Sequence, residues 1–152
     1  MAEAIICGAG AAGLAAAATL SRAGVAAIVL ERSDGLGASW RARYDGLRLN
    51  TPAWMSTMPG YRASHRRYGE YPARDDWVRY LQDYVDHHRI DVRFGAPVHK
   101  VSASHGGWRV ETSDDALQAP FVVIATGYDH SFQRLPQPGA VPRATFWWWG
   151  PM

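Results

Sequence analysis

The sequence has few of the residues that support several common kinds of chemistry. Cys7 is the single cysteine among 152 residues, which excludes an intrachain disulfide and a redox centre made of two thiols. We interpret Cys7 as a packing residue and expect the protein to work in the reducing cytoplasm. The net charge is only +2, which is too small to predict nucleic acid or an anionic membrane as a partner.

Long hydrophobic runs and grouped metal ligands are absent as well. No stretch of about 20 apolar residues occurs, so the sequence contains no predicted membrane span. The six histidines show no ligand spacing. His87 and His88 are adjacent and would diverge by about 100° on a helix. We therefore expect neither a metal site nor a membrane partner.

The first part of the chain has the pattern of a βαβ unit. Ala4 to Cys7 is a short apolar run, and Ala11 to Ala23 is rich in alanine and leucine and stops before Gly24. Ala26 to Leu30 is a second apolar run, closed by Glu31. Strand, glycine turn, helix and strand within about 30 residues predict two parallel strands joined by a helix.

The rest of the chain predicts one helix and several short strands. From Arg32 to Pro72 no periodicity is sustained, and a loop this long is expected to wrap around a functional surface such as a bound cofactor. Apolar residues at helical spacing predict an amphipathic helix over Asp75 to His88. The predicted strands are Asp91 to Phe94, Val98 to Ser102, Trp108 to Thr112, Ala116 to Ala119 and the buried parallel strand Phe121 to Ala125.

Two hairpin turns connect the middle strands and define the fold class. "SHGG" and "SDD" join Val98–Ser102, Trp108–Thr112 and Ala116–Ala119 into a three-stranded antiparallel meander. The continuous apolar run "FVVIA" then returns to the parallel sheet. The prediction is an α/β, Rossmann-like domain with a parallel sheet and an inserted three-stranded antiparallel β-meander.

The loop after the first strand has the spacing of a dinucleotide-binding motif. Gly8, Gly10 and Gly13 satisfy G-x-G-x-x-G, in which the first glycine permits a tight turn and the second admits a pyrophosphate. The third lets helix pack on strand. The following helix begins at Ala11 and Ala12, whose backbone N–H groups would face the phosphates.

Glu31 is the acidic residue expected at the end of the second strand of such a unit. A carboxylate there accepts hydrogen bonds from both ribose hydroxyls and repels a 2′-phosphate. This favours FAD or NAD over NADP at the glycine loop. The alternative interpretation is a glycine-rich turn with a surface glutamate, which the surrounding strand–helix–strand context disfavours.

The segments "ERSDGLGASW", "YDGLRLNTP" and "YPARDDWVRYLQDY" resemble the flavin-dependent monooxygenases, the group that holds flavin-containing and Baeyer–Villiger monooxygenases. Gly37 and Trp40 match a G-G-x-W-like loop of that family, although Ala38 stands where the second glycine is usual. The resemblance implies FAD as the cofactor, with Glu31 and Arg32 at its ribose and this second loop along its pyrophosphate and ribityl chain.

Three further matches implied by the resemblance lie along the chain. Ala125, Thr126 and Gly127 correspond to an A-T-G that lines the cofactor again in the family. Val98 corresponds to a position whose backbone meets the adenine. Asn50, in "RLNTP", corresponds to an asparagine near the reactive face of the flavin and is the one catalytic candidate.

The resemblance also implies an oxidoreductase reaction. In the family NADPH reduces FAD, dioxygen reacts with the reduced flavin, and one oxygen atom passes to a small substrate such as an amine, a sulfide or a ketone. A second G-x-G-x-x-G unit binds NADPH in the family, and this sequence has none. We therefore expect an N-terminal FAD-binding part, residues 1–138, of an apparently truncated monooxygenase.

Residues 139–152 form a proline- and tryptophan-rich tail that matches nothing in the family pattern. Its three consecutive tryptophans raise the alternative of self-association, or of pairing with a partner chain, through this tail. The chain would then be a non-catalytic or partner-dependent FAD-binding fragment. A third alternative, an oxidoreductase of the disulfide-reductase type, is disfavoured because it requires a pair of cysteines.

Overall fold

A computed structural model describes residues 2–127, so the predicted tail 139–152 and the boundary at 138 lie outside the described residues. Strands and helices follow the order that the sequence predicts, with ends shifted by one or two residues. The elements are β1 Ala4–Cys7, α1 Ala11–Arg22, β2 Ala27–Leu30, α2 Ala38–Arg41, α3 His65–Tyr68, α4 Arg74–His88, β3 Asp91–Arg93, β4 Val98–Ser104, β5 Gly107–Thr112, β6 Ala116–Ala119 and β7 Phe121–Ile124.

Four strands form the parallel sheet on which the rest of the fold is built. Their order is β3-β2-β1-β7, and every neighbouring pair is parallel. Ile6 lies opposite Val29 of β2 on one side and opposite Val123 of β7 on the other. The βαβ prediction is confirmed, because β1, α1 and β2 occur in sequence and the two strands pair directly.

The three remaining strands form the predicted antiparallel meander. Their order is β4-β5-β6, with Val101 opposite Val110 and Val110 opposite Leu117. The meander enters the chain between β3 and β7, so it is an insertion into the parallel sheet. The predicted fold class is therefore confirmed.

The parallel sheet has an apolar core on each face, as expected when helices cover one face and a second sheet the other. Ile6 and Val29 face α1 and α4, in a cluster that includes Leu14 and Leu81. Residues on the opposite face pack against the meander, and these are Ile5, Cys7, Ile28, Leu30, Val110 and Ala119. Cys7 is 1% exposed, and burial raises the pKa of its thiol, which fits the packing role predicted for it.

The prediction that Phe121–Ala125 is a buried strand is wrong in part. β7 pairs in parallel with β1, and Val122 and Val123 pack on the two cores. Phe121 and Ile124, however, are 64% and 62% exposed. Among the described strands β7 has a neighbour on one side only, so it is an edge strand and is less covered than β1.

The long segment between β2 and α4 packs mainly on a helix. The sequence predicted a loop wrapped around a cofactor; two short helices occur there, α2 and α3. Tyr61 and Tyr68 from this segment pack against Tyr80 of α4, with ring centroids 5.7 and 5.2 Å away, Tyr61 in a tilted and Tyr68 in an edge-to-face arrangement. This part of the segment therefore covers α4, whereas its beginning, which includes Gly37 and Trp40, lines a cavity, and wrapping around a cofactor stays a prediction.

Tyrosine hydroxyls fix this segment to α4. The Tyr80 hydroxyl accepts the Met58 N–H at 2.7 Å and donates to the Tyr61 carbonyl at 2.7 Å. The Tyr84 hydroxyl donates to the Pro59 carbonyl, also at 2.7 Å. Each bond gives a backbone group of the loop a hydrogen-bond partner.

Among residues 2–127, no helix combines the length and the apolar character needed to cross a membrane.

The buried tyrosines predict alkaline destabilisation. Burial, together with the nearby Tyr80, raises the pKa of Tyr84 from 10.0 to about 12. A group whose pKa is raised by folding stabilises the fold fully below its unfolded pKa, and that contribution is lost as pH rises through the folded value. We expect the free energy of unfolding to fall between pH 10 and about 12, and to fall less steeply in Tyr84→Phe.

Urea unfolding followed by tryptophan fluorescence across this pH range measures the effect. Tyr84→Phe also loses the bond to Pro59, which costs about 1 kcal/mol at every pH, so the slope against pH is the informative quantity. Tyr44→Phe is the matched control, because Tyr44 is 71% exposed. Identical slopes of the free energy of unfolding against pH for wild type and Tyr84→Phe would contradict the raised pKa of Tyr84.

Candidate functional site

Two of the three motif glycines are required by the packing of the protein itself. Gly8 has φ +108°, and a Cβ on it would lie 2.5 Å from the Ala125 carbonyl oxygen. A Cβ on Gly13 would overlap the carbonyl oxygen of Gly8. The absence of a Cβ at these two glycines lets the turn lie close to α1 and to the residue that follows β7. This close approach also brings the predicted Ala125, Thr126 and Gly127 beside the glycine loop.

Gly10 differs from the other two, since nothing in residues 2–127 requires a glycine there. It has φ −75° and ψ 177°, a conformation open to any residue, and a Cβ on it would meet no atom within 4 Å. Gly10 lines a cavity at the start of α1. The missing side chain therefore leaves room for something outside the protein to approach the backbone.

Glu31 directs its carboxylate towards the glycine loop. One oxygen accepts the Ala9 N–H at 2.8 Å, and the other accepts the N–H and the hydroxyl of Ser33 at 3.0 and 2.7 Å. Burial raises the pKa of Glu31, but these hydrogen bonds and the charge of Arg32 together outweigh burial, and the pKa lies below its ordinary value. Glu31 is therefore an ionised and fixed hydrogen-bond acceptor.

The second glycine loop forms the wall opposite β1. Gly37 is in the left-handed region, with φ +72°, and a Cβ on it would lie 2.8 Å from a methyl group of Val78 in α4. Trp40 packs edge-to-face on Trp77, with ring centroids 6.0 Å apart, and also lines the cavity. Trp40 therefore packs against the core around α4 and also lines the cavity, and its role in cofactor binding stays a prediction.

Backbone hydrogen bonds bring the start of the meander to the same place. The Ala96 N–H donates to the Glu31 carbonyl at 2.8 Å, and the Gly95 N–H donates to the Ser33 carbonyl at 2.9 Å. Val98, two residues after Ala96, therefore lies on the Glu31 side of the cavity and lines it. The adenine-side position implied for Val98 stays a prediction.

All these walls enclose one cavity of about 770 Å³, within the roughly 300–1,000 Å³ typical of ligand pockets. Every predicted cofactor-binding residue except Gly13 lines it. The lining residues are Cys7, Gly8, Ala9, Gly10, Ala11, Ala12, Leu30, Glu31, Arg32, Gly37, Ala38, Ser39, Trp40, Arg43, Leu81, Ala96, Pro97, Val98, His99, Ala125, Thr126 and Gly127. The open backbone at Gly10 and the ionised Glu31 in one cavity fit the ADP half of a dinucleotide.

Asn50 is the predicted site residue that the structure places elsewhere. It is exposed, and it is not among the residues that line the cavity. The neighbouring Leu49 pairs with Pro72, because the Leu49 N–H donates to the Pro72 carbonyl at 2.9 Å. The strand-like contact holds this part of the chain beside the start of α4. The role near the flavin stays a prediction for Asn50.

Several lining residues were missed from the sequence. Leu81 belongs to the amphipathic stripe of α4, and that stripe predicts burial without predicting which face meets a ligand. Arg43 has no motif, and its place depends on a distant contact: the Arg74 guanidinium donates to the Arg43 carbonyl at 2.9 Å and to the Asp45 carboxylate at 2.8 Å. Ala96 and Pro97 adjoin Val98, which would have been the signal for them.

Comparison with known proteins places the chain among flavin-related oxidoreductases. Residues 5–144 match the family described as pyridine nucleotide-disulphide oxidoreductase. The chain is 42% identical over 128 residues to indole-3-pyruvate monooxygenase YUCCA1 of Oryza sativa subsp. japonica. That match covers 82% of this chain and 31% of the rice protein, so the chain spans about a third of the length of such relatives.

Solved structures show the same fold. A flavin-containing monooxygenase from Stenotrophomonas maltophilia superposes with a TM-score of 0.76 and 30% identity, over 83% of this chain and 39% of that one. A bacillithiol disulfide reductase from Bacillus cereus superposes with a TM-score of 0.81 over 91% of this chain and 43% of that one. At 22% identity the latter is evidence for the fold alone.

Proposed function

Because the chain belongs to the pyridine nucleotide-disulphide oxidoreductase family, we propose that it is the FAD-binding portion of a flavin-dependent monooxygenase. The observation that carries the proposal is the meeting of Gly10 and Glu31 in one cavity. The glycine leaves open space at the helix start, and the carboxylate is fixed beside it. Relatives named as monooxygenases, 42% and 30% identical, support the reaction class.

The residues of the cavity would hold the ADP half of FAD in three ways. Backbone N–H groups of Ala11 and Ala12, in the first turn of α1, lack helical acceptors and would meet the pyrophosphate. Glu31 would accept hydrogen bonds from the ribose and would repel a 2′-phosphate. Val98 would lie against the adenine. Gly37 and Trp40 would cover the chain that leads from the phosphates to the flavin.

FAD, when bound, would supply the redox chemistry, taking electrons from NADPH and passing one oxygen atom of dioxygen to a small organic substrate. This chain contributes binding and orientation. The monooxygenase class is favoured over a disulfide reductase because the relatives named as monooxygenases are 42% and 30% identical to this chain, whereas the bacillithiol disulfide reductase is 22% identical and supports the fold alone.

A partner-dependent FAD-binding module is the second candidate. It is favoured by the cavity wall, whose residues would hold the ADP half of FAD and do not include Asn50. In that case FAD would bind, and electrons would have to come through another chain. Adding NADPH to the FAD-loaded protein in air separates the two candidates, because only a chain with its own electron route bleaches the flavin absorption band.

Nucleotide titration of the purified chain tests the proposal. We expect FAD and ADP to bind with dissociation constants within about tenfold of each other, because the contacts lie on the ADP half, and FMN to bind far more weakly. Glu31→Ala should weaken FAD binding by about tenfold to a hundredfold, the effect of losing hydrogen bonds to a charged group. Glu70→Ala is the matched control, since Glu70 is exposed and lies outside the cavity.

Calorimetry gives the dissociation constants for all three nucleotides, and the change in the flavin absorption band gives those for FAD and FMN independently. FMN binding as tightly as FAD would contradict the assignment of the ADP half to Gly10 and Glu31. Equal FAD affinity in wild type and Glu31→Ala would remove Glu31 from the site. No binding of FAD or ADP by the folded wild-type chain would reject the proposed function altogether.

A further inference from the structure

Ser33 has a hydroxyl between two acceptors. Its oxygen lies 2.7 Å from one carboxylate oxygen of Glu31 and 2.9 Å from the carbonyl oxygen of Gly35. A serine hydroxyl carries one proton, so it donates to one of these acceptors at a time. The Ser33 backbone is held in place by the Gly95 N–H, which donates to its carbonyl at 2.9 Å. Rotation of the hydroxyl alone is therefore enough to change the acceptor.

The choice of acceptor decides how much of Glu31 is available. A carboxylate offers about four acceptor positions, two on each oxygen. The Ala9 N–H takes one position on one oxygen, and the Ser33 N–H takes one on the other. If the Ser33 hydroxyl also donates to Glu31, a single position is left. If it donates to Gly35, two positions are left, one on each oxygen.

A ribose presents two neighbouring hydroxyls, which need two acceptor positions to bind side by side. Resting on the proposed function, we propose that Ser33 is a positioning residue that switches its hydroxyl from Glu31 to Gly35 when both ribose hydroxyls bind. When one ribose hydroxyl is missing, the Ser33 hydroxyl takes its place on Glu31. The carboxylate thus keeps a full set of donors with either ligand.

The switch makes the wild type less selective between a nucleotide with an intact ribose and its 2′-deoxy analogue. In the wild type, a 2′-deoxy nucleotide loses one bond to Glu31, and Ser33 replaces it. In Ser33→Ala no replacement donor exists, and a charged acceptor in a half-buried site is left with an unfilled position. Removing the hydroxyl therefore makes the site more dependent on the intact ribose.

The test is the ratio of dissociation constants for 2′-deoxy-ADP and ADP, measured by competition against FAD or by calorimetry. We expect a ratio below about threefold for the wild type and of roughly tenfold or more for Ser33→Ala, the usual effect of one hydrogen bond to a charged group. Ser33→Thr keeps the hydroxyl and should keep the wild-type ratio. Ser33→Cys, whose thiol is a weak donor, should behave like Ser33→Ala and serves if that variant does not fold.

The outcomes are distinguishable from failure of the proposed function. A wild type that binds ADP, with the same ratio in Ser33→Ala and Ser33→Thr, overturns the switch and leaves the FAD site standing. A raised ratio in Ser33→Ala and Ser33→Cys with a normal ratio in Ser33→Thr supports it. A folded wild type that binds neither nucleotide overturns both, because the ligand read by Glu31 would then not be an ADP ribose.

Discussion

Gly10→Val abolishes FAD binding and leaves the chain folded: this is the result with the largest functional effect that we expect. Within the part of the chain that the structure describes, a Cβ at Gly10 meets no neighbouring atom within 4 Å, and the φ and ψ of Gly10 suit valine, so we expect the fold to accommodate the substitution. Valine is a poor residue at a helix start, which costs up to about 1 kcal/mol. The isopropyl group, however, would occupy the space through which the pyrophosphate approaches α1.

The measurement is FAD affinity beside the urea unfolding curve of the same preparation. Gly46→Val is the matched control, because Gly46 is exposed, lies outside the cavity, and a Cβ there meets only the Tyr44 ring at an ordinary 4.0 Å. We expect at least a hundredfold loss of FAD affinity in Gly10→Val and none in Gly46→Val. Wild-type affinity in Gly10→Val would mean that the nucleotide does not pass over the first turn of α1.

Gly13→Ala is expected to give the largest loss of stability. The added Cβ would overlap the carbonyl oxygen of Gly8. Both atoms belong to rigid backbone, since Gly8 also donates its N–H to the Leu30 carbonyl at 2.8 Å. α1 would have to move away from the β1 turn, which costs about 3 kcal/mol or more. For a domain whose free energy of unfolding is about 5–15 kcal/mol, such a loss removes roughly a fifth to more than half of the stability.

Gly10→Ala is the control for Gly13→Ala, because the chemical change and the loop are the same. Circular dichroism during thermal unfolding should show a midpoint lowered by more than about 10 °C for Gly13→Ala, and nearly the wild-type midpoint for Gly10→Ala. Similar midpoints for the two variants would show that α1 can shift without cost. The distinction between structural and ligand-facing glycines in this loop would then be lost.

The order and type of the main elements could be predicted because their signals are local. Ala4–Cys7 and Ala27–Leu30 are short apolar runs beside glycine or acidic residues, and the meander strands are joined by turn residues. The burial of β7 could not be predicted in the same way. An apolar run shows that a strand can be buried, but exposure of Phe121 and Ile124 depends on which strands lie next to β7.

The site could be predicted where a motif fixes backbone geometry. The glycine loop, Glu31, Gly37 and the Ala125–Gly127 segment all line one cavity, as the motifs indicated. Arg43 could not be found, because the contact that fixes its carbonyl comes from Arg74, which is 31 residues away. The contacts of Tyr80 could not be predicted either. A tyrosine has an apolar ring and a polar hydroxyl, and the sequence does not show that this hydroxyl bonds the backbone of Met58 and Tyr61.

The rate at which a thiol reagent modifies Cys7 would report local opening of the protein beside the glycine loop. Cys7 is the single cysteine of the chain, is 1% exposed, and packs in the core between the parallel sheet and the meander. The residue also lines the cavity, and its carbonyl accepts the Ala125 N–H at 2.9 Å. A thiol reagent can modify Cys7 only while the packing around the end of β1 is locally open. Under the proposed function, a nucleotide bound only by the closed form lowers the fraction of time spent open by the factor 1 + [ligand]/Kd. The rate at which wild-type Cys7 is labelled would therefore measure occupancy of the nucleotide site. The measurement needs no flavin signal, no NADPH and no substrate.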